Sequence, residues 1–201
     1  MLVRDVMSAN PVTVNSSATL AEMRRVMDER RIKRLPVLDE GKLVGIVTHN
    51  ALDREMSSLI STLTASEVMV RHLVTVSPDA TVEEGVALAQ AKKVGALLVV
   101  QHSRLVGIAT TNDFFYKILN PLLGIDLPGS RVAVSNCRTA VDVENVLHII
   151  NLLDVDVTGM FTMKDPKGNG IKLTAHLAID DPGAVVTALE KQGYGVETRK
   201  R

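Results

Sequence analysis

The chain carries one pattern twice, and the second copy follows the first at a constant spacing of 62 residues. The segment Thr19–Glu22 returns as Thr81–Glu84, and Leu43–Thr48 returns as Leu105–Thr110. Matching segments that keep both their order and their spacing indicate a duplicated structural unit, because chance matches would not share one register. Two copies of such a unit usually pack against each other, so the cleft between them is a natural ligand site.

Each copy predicts the same run of secondary structure. A short extended segment leads to a capping box, in which Thr19 or Thr81 starts a helix and a glutamate three residues later bonds back to the threonine amide. Two apolar strands around a tight turn come next. A second helix then follows, over Leu52–Ile60 in the first copy. We therefore expect an α/β fold in which residues 1–60 and 61–120 form a pseudo-symmetric pair.

The remainder of the chain has a different pattern. Prolines and a glycine over residues 121–128 predict a linker. Residues 129–201 predict the element order β-α-β-β-α-β, with a first strand at Arg131–Ser135 and a hairpin turn at Asp165–Gly170. That order is the ferredoxin-like arrangement, a split βαβ motif.

Composition excludes several classes of protein. Lys plus Arg and Asp plus Glu both number 23, so no net charge attracts nucleic acid or anionic lipid. No stretch approaches the roughly 20 apolar residues of a membrane span. The one cysteine, Cys137, lies in a predicted loop beside Arg138 and cannot form an internal disulfide, which favours a reducing, cytoplasmic setting.

The sequence shows no catalytic or metal-binding pattern. The five histidines are scattered without ligand spacing, so we expect no metal site. Neither paired carboxylates nor a Ser-His-Asp set occurs at a recognisable spacing. We therefore predict a protein that is not an enzyme and requires no cofactor.

Each copy resembles a CBS domain, and the pair resembles a Bateman module over residues 1 to 120. In CBS pairs that bind adenosine nucleotides, the signature is a glycine, apolar strand residues, Ser or Thr, two variable residues and Asp. The second copy has it complete in Gly107–Asp113, whereas the first copy ends with Ala51. A carboxylate can accept hydrogen bonds from both ribose hydroxyls, so the resemblance implies a nucleotide site at Asp113 but not at Ala51.

Further site residues are implied by position in the resemblance. The implied nucleotide-binding residues are Thr75, Ala80, Val94, Gly95, Ala96, Thr110, Asn112 and Asp113. The candidate phosphate contacts are Lys33, Arg34, His102 and Arg104. A second interpretation needs no ligand, since a threonine and an aspartate at these positions also suit a plain helix N-terminus.

The C-terminal segment resembles an ACT-type regulatory domain, most clearly over Asp180–Tyr194. In that family, the loop between the first strand and first helix receives an amino-acid effector. Here this loop contains neither Gly nor Pro, and Ser135, Asn136 and Thr139 are the candidate polar contacts. The order CBS, CBS, ACT is similar to bacterial acetoin-utilisation-type accessory proteins.

These resemblances imply a regulatory protein rather than an enzyme. The first hypothesis is a sensor that binds AMP, ADP, ATP or S-adenosylmethionine between the repeats and relays binding through the ACT-like domain. Two alternatives are a ligand-free dimerisation or assembly module for a partner enzyme, and an amino-acid sensor that uses the ACT-like domain. We expect a homodimer, the common state of small regulators.

Overall fold

A computed structural model describes residues 1–55, 63–125, 127–165 and 170–200. The chain divides into two compact units, Met1–Lys117 and Ile118–Arg201. Helices and sheets occur in both units, which confirms the predicted mixed α/β fold. Parts of the predicted helix over Leu52–Ile60 and of the predicted turn at Asp165–Gly170 lie outside the described residues. No helix within the described ranges is long and apolar enough to cross a membrane.

The two repeats occupy the first unit and contain matching elements. The first repeat forms α1 (Val3–Val6), β1 (Ser8–Ala9), β2 (Val14–Asn15), α2 (Leu20–Arg30), β3 (Arg34–Asp39), β4 (Lys42–Thr48) and α3 (His49–Glu55). The second forms α4 (Ala65–Val68), β5 (Thr75–Val76), α5 (Val82–Lys92), β6 (Ala96–Gln101), β7 (Arg104–Thr110) and α6 (Thr111–Phe114). A π-helical turn, Phe115–Leu119, follows α6.

The predicted capping boxes start α2 in the first repeat and α5 in the second. At α2, the Glu22 carboxylate accepts from the Thr19 amide at 2.9 Å, and the Thr19 hydroxyl accepts from the Glu22 amide at 3.3 Å. At α5, the equivalent distances between Thr81 and Glu84 are 2.8 Å and 3.2 Å. Each box satisfies two amides that have no partner within the helix, so both helices begin at the predicted residue.

The start of the first repeat belongs to the core of the second. Val3 of α1 is fully buried against Val99 and Ala109, which lie on β6 and β7. Strand β1 then pairs antiparallel with β7, with Ser8 opposite Ile108. The first nine residues therefore complete the second repeat, although they precede the first in sequence.

The start of the second repeat completes the first in the same way. Ala65 of α4 is buried in the core that includes Leu35 and Leu52. The amide of Val70 donates to the Ile46 carbonyl on β4 at 2.9 Å. The repeats thus exchange their leading segments, and each leading segment lies along the last strand of the other repeat.

The second unit forms one antiparallel sheet with helices. Its elements are α7 (Asn120–Leu123), β8 (Ser130–Cys137), α8 (Ala140–Leu152), β9 (Val157–Lys164), β10 (Ile171–Leu177), α9 (Gly183–Lys191) and β11 (Gly195–Lys200). The strand order is β11-β8-β10-β9, and every neighbouring pair is antiparallel. From β8 onward the element order is the predicted β-α-β-β-α-β, whereas α7 occupies part of the segment expected to be a linker. Membership of the ACT family stays a prediction.

The first strand of this unit runs further than the sequence indicated. It continues beyond Ser135 to Cys137, because its backbone stays paired with β10 up to the Cys137–Ile171 pair. Cys137 is fully buried, not exposed in a loop. Burial, with a smaller contribution from the Asp142 carboxylate, raises the pKa of the Cys137 thiol.

Candidate functional site

Asp113 lies where the last strand of the second repeat becomes a helix. Thr110 ends β7 and caps α6, and Asp113 is the third residue of that helix. The Asp113 Oδ2 atom accepts from the Thr110 amide at 2.8 Å and from the Thr110 hydroxyl at 2.6 Å. The helix-terminus role considered from the sequence is therefore present. It uses one carboxylate oxygen.

The other oxygen of Asp113 has two further donors. Lys117 Nζ lies 3.1 Å from Oδ1, and the Ser8 hydroxyl donates to the same atom at 3.3 Å. Burial raises the pKa of the Asp113 carboxyl, but the hydrogen bonds from Thr110 and Lys117 outweigh burial and hold the pKa below its usual range. The group is thus an ionised, mostly buried acceptor at neutral pH.

A cavity of about 440 Å³ opens beside this carboxylate. We call it the Asp113 cavity. It is lined by Ser8, Ala9, Asn10, Pro11, Val12, Arg31, Ile32, Lys33, Arg34, Ile108, Thr110, Asn112 and Asp113. Within the described part of the chain, the side chains of Lys33 and Arg34 form no hydrogen bond or ion pair. The cavity therefore combines one carboxylate with unpaired cations, in a volume typical of small-molecule sites.

The structure brings together some of the residues predicted for the site. Thr110, Asn112 and Asp113 line this cavity, and so do the candidate phosphate contacts Lys33 and Arg34. Lys33 and Arg34 belong to the first repeat and Thr110, Asn112 and Asp113 to the second, so both repeats build this cavity.

Other predicted residues lie elsewhere. Val94, Gly95 and Ala96 line a separate cavity of about 210 Å³ that also includes Thr48, and we call it the Thr48 cavity. The resemblance matches them by position to the site around Asp113. In the structure they share the Thr48 cavity with the signature threonine of the first repeat, as Lys33 and Arg34 share the Asp113 cavity with the signature of the second.

Four further predicted residues are absent from the lining of the Asp113 cavity. Thr75 pairs with Leu98 in the sheet, and the Ala80 carbonyl accepts from the Val3 amide at 2.9 Å. His102 and Arg104 lie at the β6–β7 turn. From Arg104 to the end of β7 the strand spans about 20 Å at roughly 3.3 Å per residue, so these cations are remote from Asp113.

Sequence reasoning missed the contribution of the N-terminal segment. Ser8, Asn10, Pro11 and Val12 line the Asp113 cavity, although the signature lies about a hundred residues later. The repeat shows that two copies exist but not which leading segment completes which copy. Lys117 was also missed, yet its position four residues after Asp113 is an ordinary signal for a helical ion pair.

The Thr48 cavity differs from its counterpart in chemistry. The Ala51 amide donates to the Thr48 hydroxyl at 3.3 Å, so the helix cap remains while the carboxylate is missing. Arg34 lines this cavity as well as the Asp113 cavity. A Cβ at Gly95 would lie 2.6 Å from Arg34 Nη2, so the glycine leaves room for the guanidinium group.

A third cavity, of about 370 Å³, lies within the second repeat between α5 and α6. We call it the α5–α6 cavity. Its lining is mostly apolar and consists of Val86, Ala89, Gln90, Lys93, Val94, Gly95, Ala96, Leu97, Ala109, Thr111, Phe114 and Phe115. Its lining has no carboxylate and does not include Asp113, although Ala109 and Thr111 of the signature segment contribute to it.

The candidate effector residues of the second unit are engaged by the protein itself. The Ser135 hydroxyl donates to the Gly195 carbonyl at 3.1 Å, and the Asn136 amide group donates to the Gly193 carbonyl at 3.5 Å. The Thr139 hydroxyl donates to Asp142 at 3.1 Å. Among the described residues of the whole chain, no group of three His, Cys, Asp or Glu side chains is placed to hold a metal ion.

Comparison with known proteins identifies the repeat. The family model for the CBS domain matches residues 3–58 and 65–120. Inosine-5'-monophosphate dehydrogenase from Korarchaeum cryptofilum is 31% identical over 189 residues, which cover 93% of this chain and 37% of that protein. The chain spans between 22% and 37% of the length of this and the next three curated relatives.

Solved structures resemble the chain over the paired repeats. A putative acetoin utilisation protein (AcuB) from Vibrio cholerae is 33% identical, with a TM-score of 0.56, and the match covers 64% of this chain and 98% of that chain. The CBS pair of protein MJ0100, in complex with 5'-methylthioadenosine and S-adenosylmethionine, is 30% identical with a TM-score of 0.53, covering 57% and 92%. CBSX2 in complex with AMP is 25% identical with a TM-score of 0.52, covering 59% and 96%. Two of these neighbours therefore hold adenosine-containing small molecules.

Proposed function

Because the chain belongs to the CBS-domain family, with two copies of the domain in tandem, we propose that it is a non-catalytic regulatory protein that binds an adenosine-containing ligand in the Asp113 cavity. One observation carries the proposal: an ionised carboxylate and the unpaired cations Lys33 and Arg34 share the same cavity. The carboxylate suits a ribose diol, and the cations suit phosphate oxygens. The ligands bound to two similar CBS structures support the adenosine assignment.

The charges of the cavity favour one class of adenosine ligand. Arg31, Lys33 and Arg34 all lie on its lining, against the single carboxylate of Asp113. The sulfonium of S-adenosylmethionine would face this excess of positive charge, whereas phosphates would be attracted to it. We therefore rank AMP, ADP and ATP above S-adenosylmethionine.

The wider role rests on the second unit and on the relatives. In this proposal, ligand binding is relayed to the ACT-like domain and from there to a regulated enzyme, which requires the ligand to prefer one arrangement of the protein. A link to acetoin metabolism rests on the likeness to the Vibrio cholerae protein. The homodimer, the cytoplasmic location and the lack of a required cofactor remain predictions from the sequence.

Calorimetric titration with AMP, ADP, ATP and S-adenosylmethionine tests the proposal. We expect saturable binding of a nucleotide at one site per chain. Asp113→Ala makes this position match Ala51 and removes charged hydrogen bonds worth about 1.5–3 kcal/mol each. Since about 1.4 kcal/mol is tenfold in affinity, the variant should bind at least tenfold more weakly.

The two repeats supply a matched control. Thr110→Ala and Thr48→Ala each remove one helix cap at equivalent positions. We expect only Thr110→Ala to weaken binding, because its hydroxyl orients Asp113. If Asp113→Ala binds as well as the wild type, the site is assigned wrongly. If no adenosine ligand binds the wild type, the ligand-free assembly module becomes the better hypothesis.

A further inference from the structure

The Asp113 carboxylate has no acceptor position to spare. A carboxylate offers about four lone-pair positions. Thr110 uses two of them on Oδ2, through its amide and its hydroxyl. On Oδ1, Lys117 and Ser8 use the other two. A ribose diol that binds Asp113 must therefore displace a donor already present.

Lys117 is the donor whose displacement has consequences. The Thr110 bonds are local to the helix cap, and the Ser8 hydroxyl, at 3.3 Å, can turn aside by a single rotation. Lys117 Nζ also donates to the Val6 carbonyl at 2.6 Å and to the Met7 carbonyl at 3.3 Å. It keeps these two acceptors when it leaves Asp113, so its departure needs no unpaired ammonium group.

The position of Lys117 connects the cavity to the chain that follows. Asp113 lies in α6, whereas Lys117 lies in the π-helical turn Phe115–Leu119, so their ion pair spans the junction between the two windings. Isolated π-helical turns are rare and occur often at functional sites. Lys117 is also the last residue of the first unit, and the second unit begins at the next residue.

Only the second repeat can form this ion pair. The positions equivalent to Asp113 and Lys117 in the first repeat are Ala51 and Glu55, which cannot form one. The pair is therefore confined to the repeat that leads directly into the second unit. The fold does not require it, since α3 forms without it.

We propose that Lys117 is a positioning residue that competes with the ligand's ribose for Asp113, and that its displacement alters the π-helical turn and so reports an occupied cavity to the following chain. This inference rests on the proposed function and deepens it, because it names how ligand binding in the Asp113 cavity is communicated to the following chain. Ligand binding has to break the ion pair between Asp113 and Lys117, which weakens the affinity for the ligand. Because Lys117 lies in the π-helical turn, the same step couples ligand binding to the conformation of that turn.

The test combines calorimetry with hydrogen exchange of residues 115–119. Lys117→Met keeps the apolar stem and removes the ammonium group. We expect Lys117→Met to bind the adenine nucleotide threefold to tenfold more tightly than the wild type. In the wild type, ligand should change exchange in the turn, and in Lys117→Met exchange there should be the same with and without ligand.

Two further variants test whether the effect depends on the positive charge at position 117 or on the loss of any surface lysine. Lys117→Arg retains the charge and should retain the ligand-dependent exchange. Lys92→Met removes an exposed charge at the end of α5, which does not line the Asp113 cavity, and should bind as the wild type does.

The inference is wrong if Lys117→Met binds no more tightly than the wild type, or if its turn still responds to ligand. That failure is distinct from failure of the proposed function. When the wild type binds nucleotide, Asp113→Ala does not, and Lys117→Met binds no more tightly than the wild type, the site stands while the role of Lys117 falls. When no nucleotide binds the wild type, both are overturned.

Discussion

The two repeats have equivalent helices and strands but differ in how their side chains pack. On α2 of the first repeat, Met23 and Met27 are buried and complete the core. The equivalent residues on α5 of the second repeat are Gly85 and Ala89. Ala89 lines the α5–α6 cavity, whereas Val3 and Leu97 lie close to Gly85. Equal helices and strands therefore do not imply equal packing. The duplicated pattern determines where the elements run, while side-chain volume determines where space remains.

The charged side chains of the two repeats also differ. In the first repeat, Asp53 accepts from Arg24 at 2.6 Å and lies 2.9 Å from His49 Nδ1. These hydrogen bonds, that of Arg24 first, hold the pKa of Asp53 below its usual range. In the second repeat, the equivalents of Arg24 and Asp53 are Val86 and Phe115, which line the open cavity. In the first repeat, charged side chains pair with one another at this position. In the second repeat, the ionised carboxylate of Asp113 lies beside the Asp113 cavity.

The largest expected effect compares equivalent core leucines. Leu35 and Leu97 are both fully buried, but Leu97 also lines the α5–α6 cavity. We expect Leu35→Ala to lower the free energy of unfolding by about 3 kcal/mol, and Leu97→Ala by about 2 kcal/mol. The cost is smaller at Leu97 because the wild-type side chain already lacks some neighbours. Urea unfolding measures both values.

The comparison is valid if the free energy of unfolding of both variants falls with urea concentration as steeply as that of the wild type. A different slope would mean that unfolding exposes a different amount of surface. Equal losses at the two leucines would contradict the difference in packing. They would mean that the α5–α6 cavity is filled in solution.

A smaller effect is the pH dependence of stability that comes from Asp113, whose equivalent in the first repeat is Ala51. The pKa of Asp113 is lower in the folded protein than the roughly 3.9 of an unfolded chain. Its contribution to stability is therefore complete above about pH 4 and is lost as the pH falls through the folded pKa. Asp113→Asn should flatten the decline in melting temperature below about pH 4.

Asp28→Asn, which removes an exposed carboxylate from α2, is the control for lost charge and should leave that decline unchanged. A decline in Asp113→Asn as steep as in the wild type would show that the Thr110 and Lys117 hydrogen bonds do not form in solution.

Much of each repeat could be predicted because its signals are local. The capping box at Thr19 and the apolar strands depend on residues within a few positions of one another, so sequence places them well. Exchange of the leading segments could not be predicted in this way. The pairing of Ser8 with Ile108 joins residues a hundred positions apart and is decided by which core buries Val3.

The candidate site shows the same limit. Asp113 could be found because its signature is continuous, and Lys33 and Arg34 could be found as cations near the cleft. The resemblance groups Val94 with Asp113, whereas Val94 lines the Thr48 cavity, because packing between the repeats decides which stretch of chain meets which signature. The sequence predicts a loop at Cys137, whereas the strand extends to this residue, because strand length depends on pairing with a distant strand.

The smallest expected effect fills the cavity of the second repeat. Ala89→Met gives α5 the side chain that α2 carries at Met27, which is buried. Methionine adapts to irregular space, so we expect the free energy of unfolding to rise by about 0.5–1 kcal/mol. Ala87→Met, at an exposed position of the same helix, controls for helix propensity and should change stability little. If Ala89→Met is instead destabilising, the two repeats pack alike in solution and the contrast between them lies in their charged groups alone.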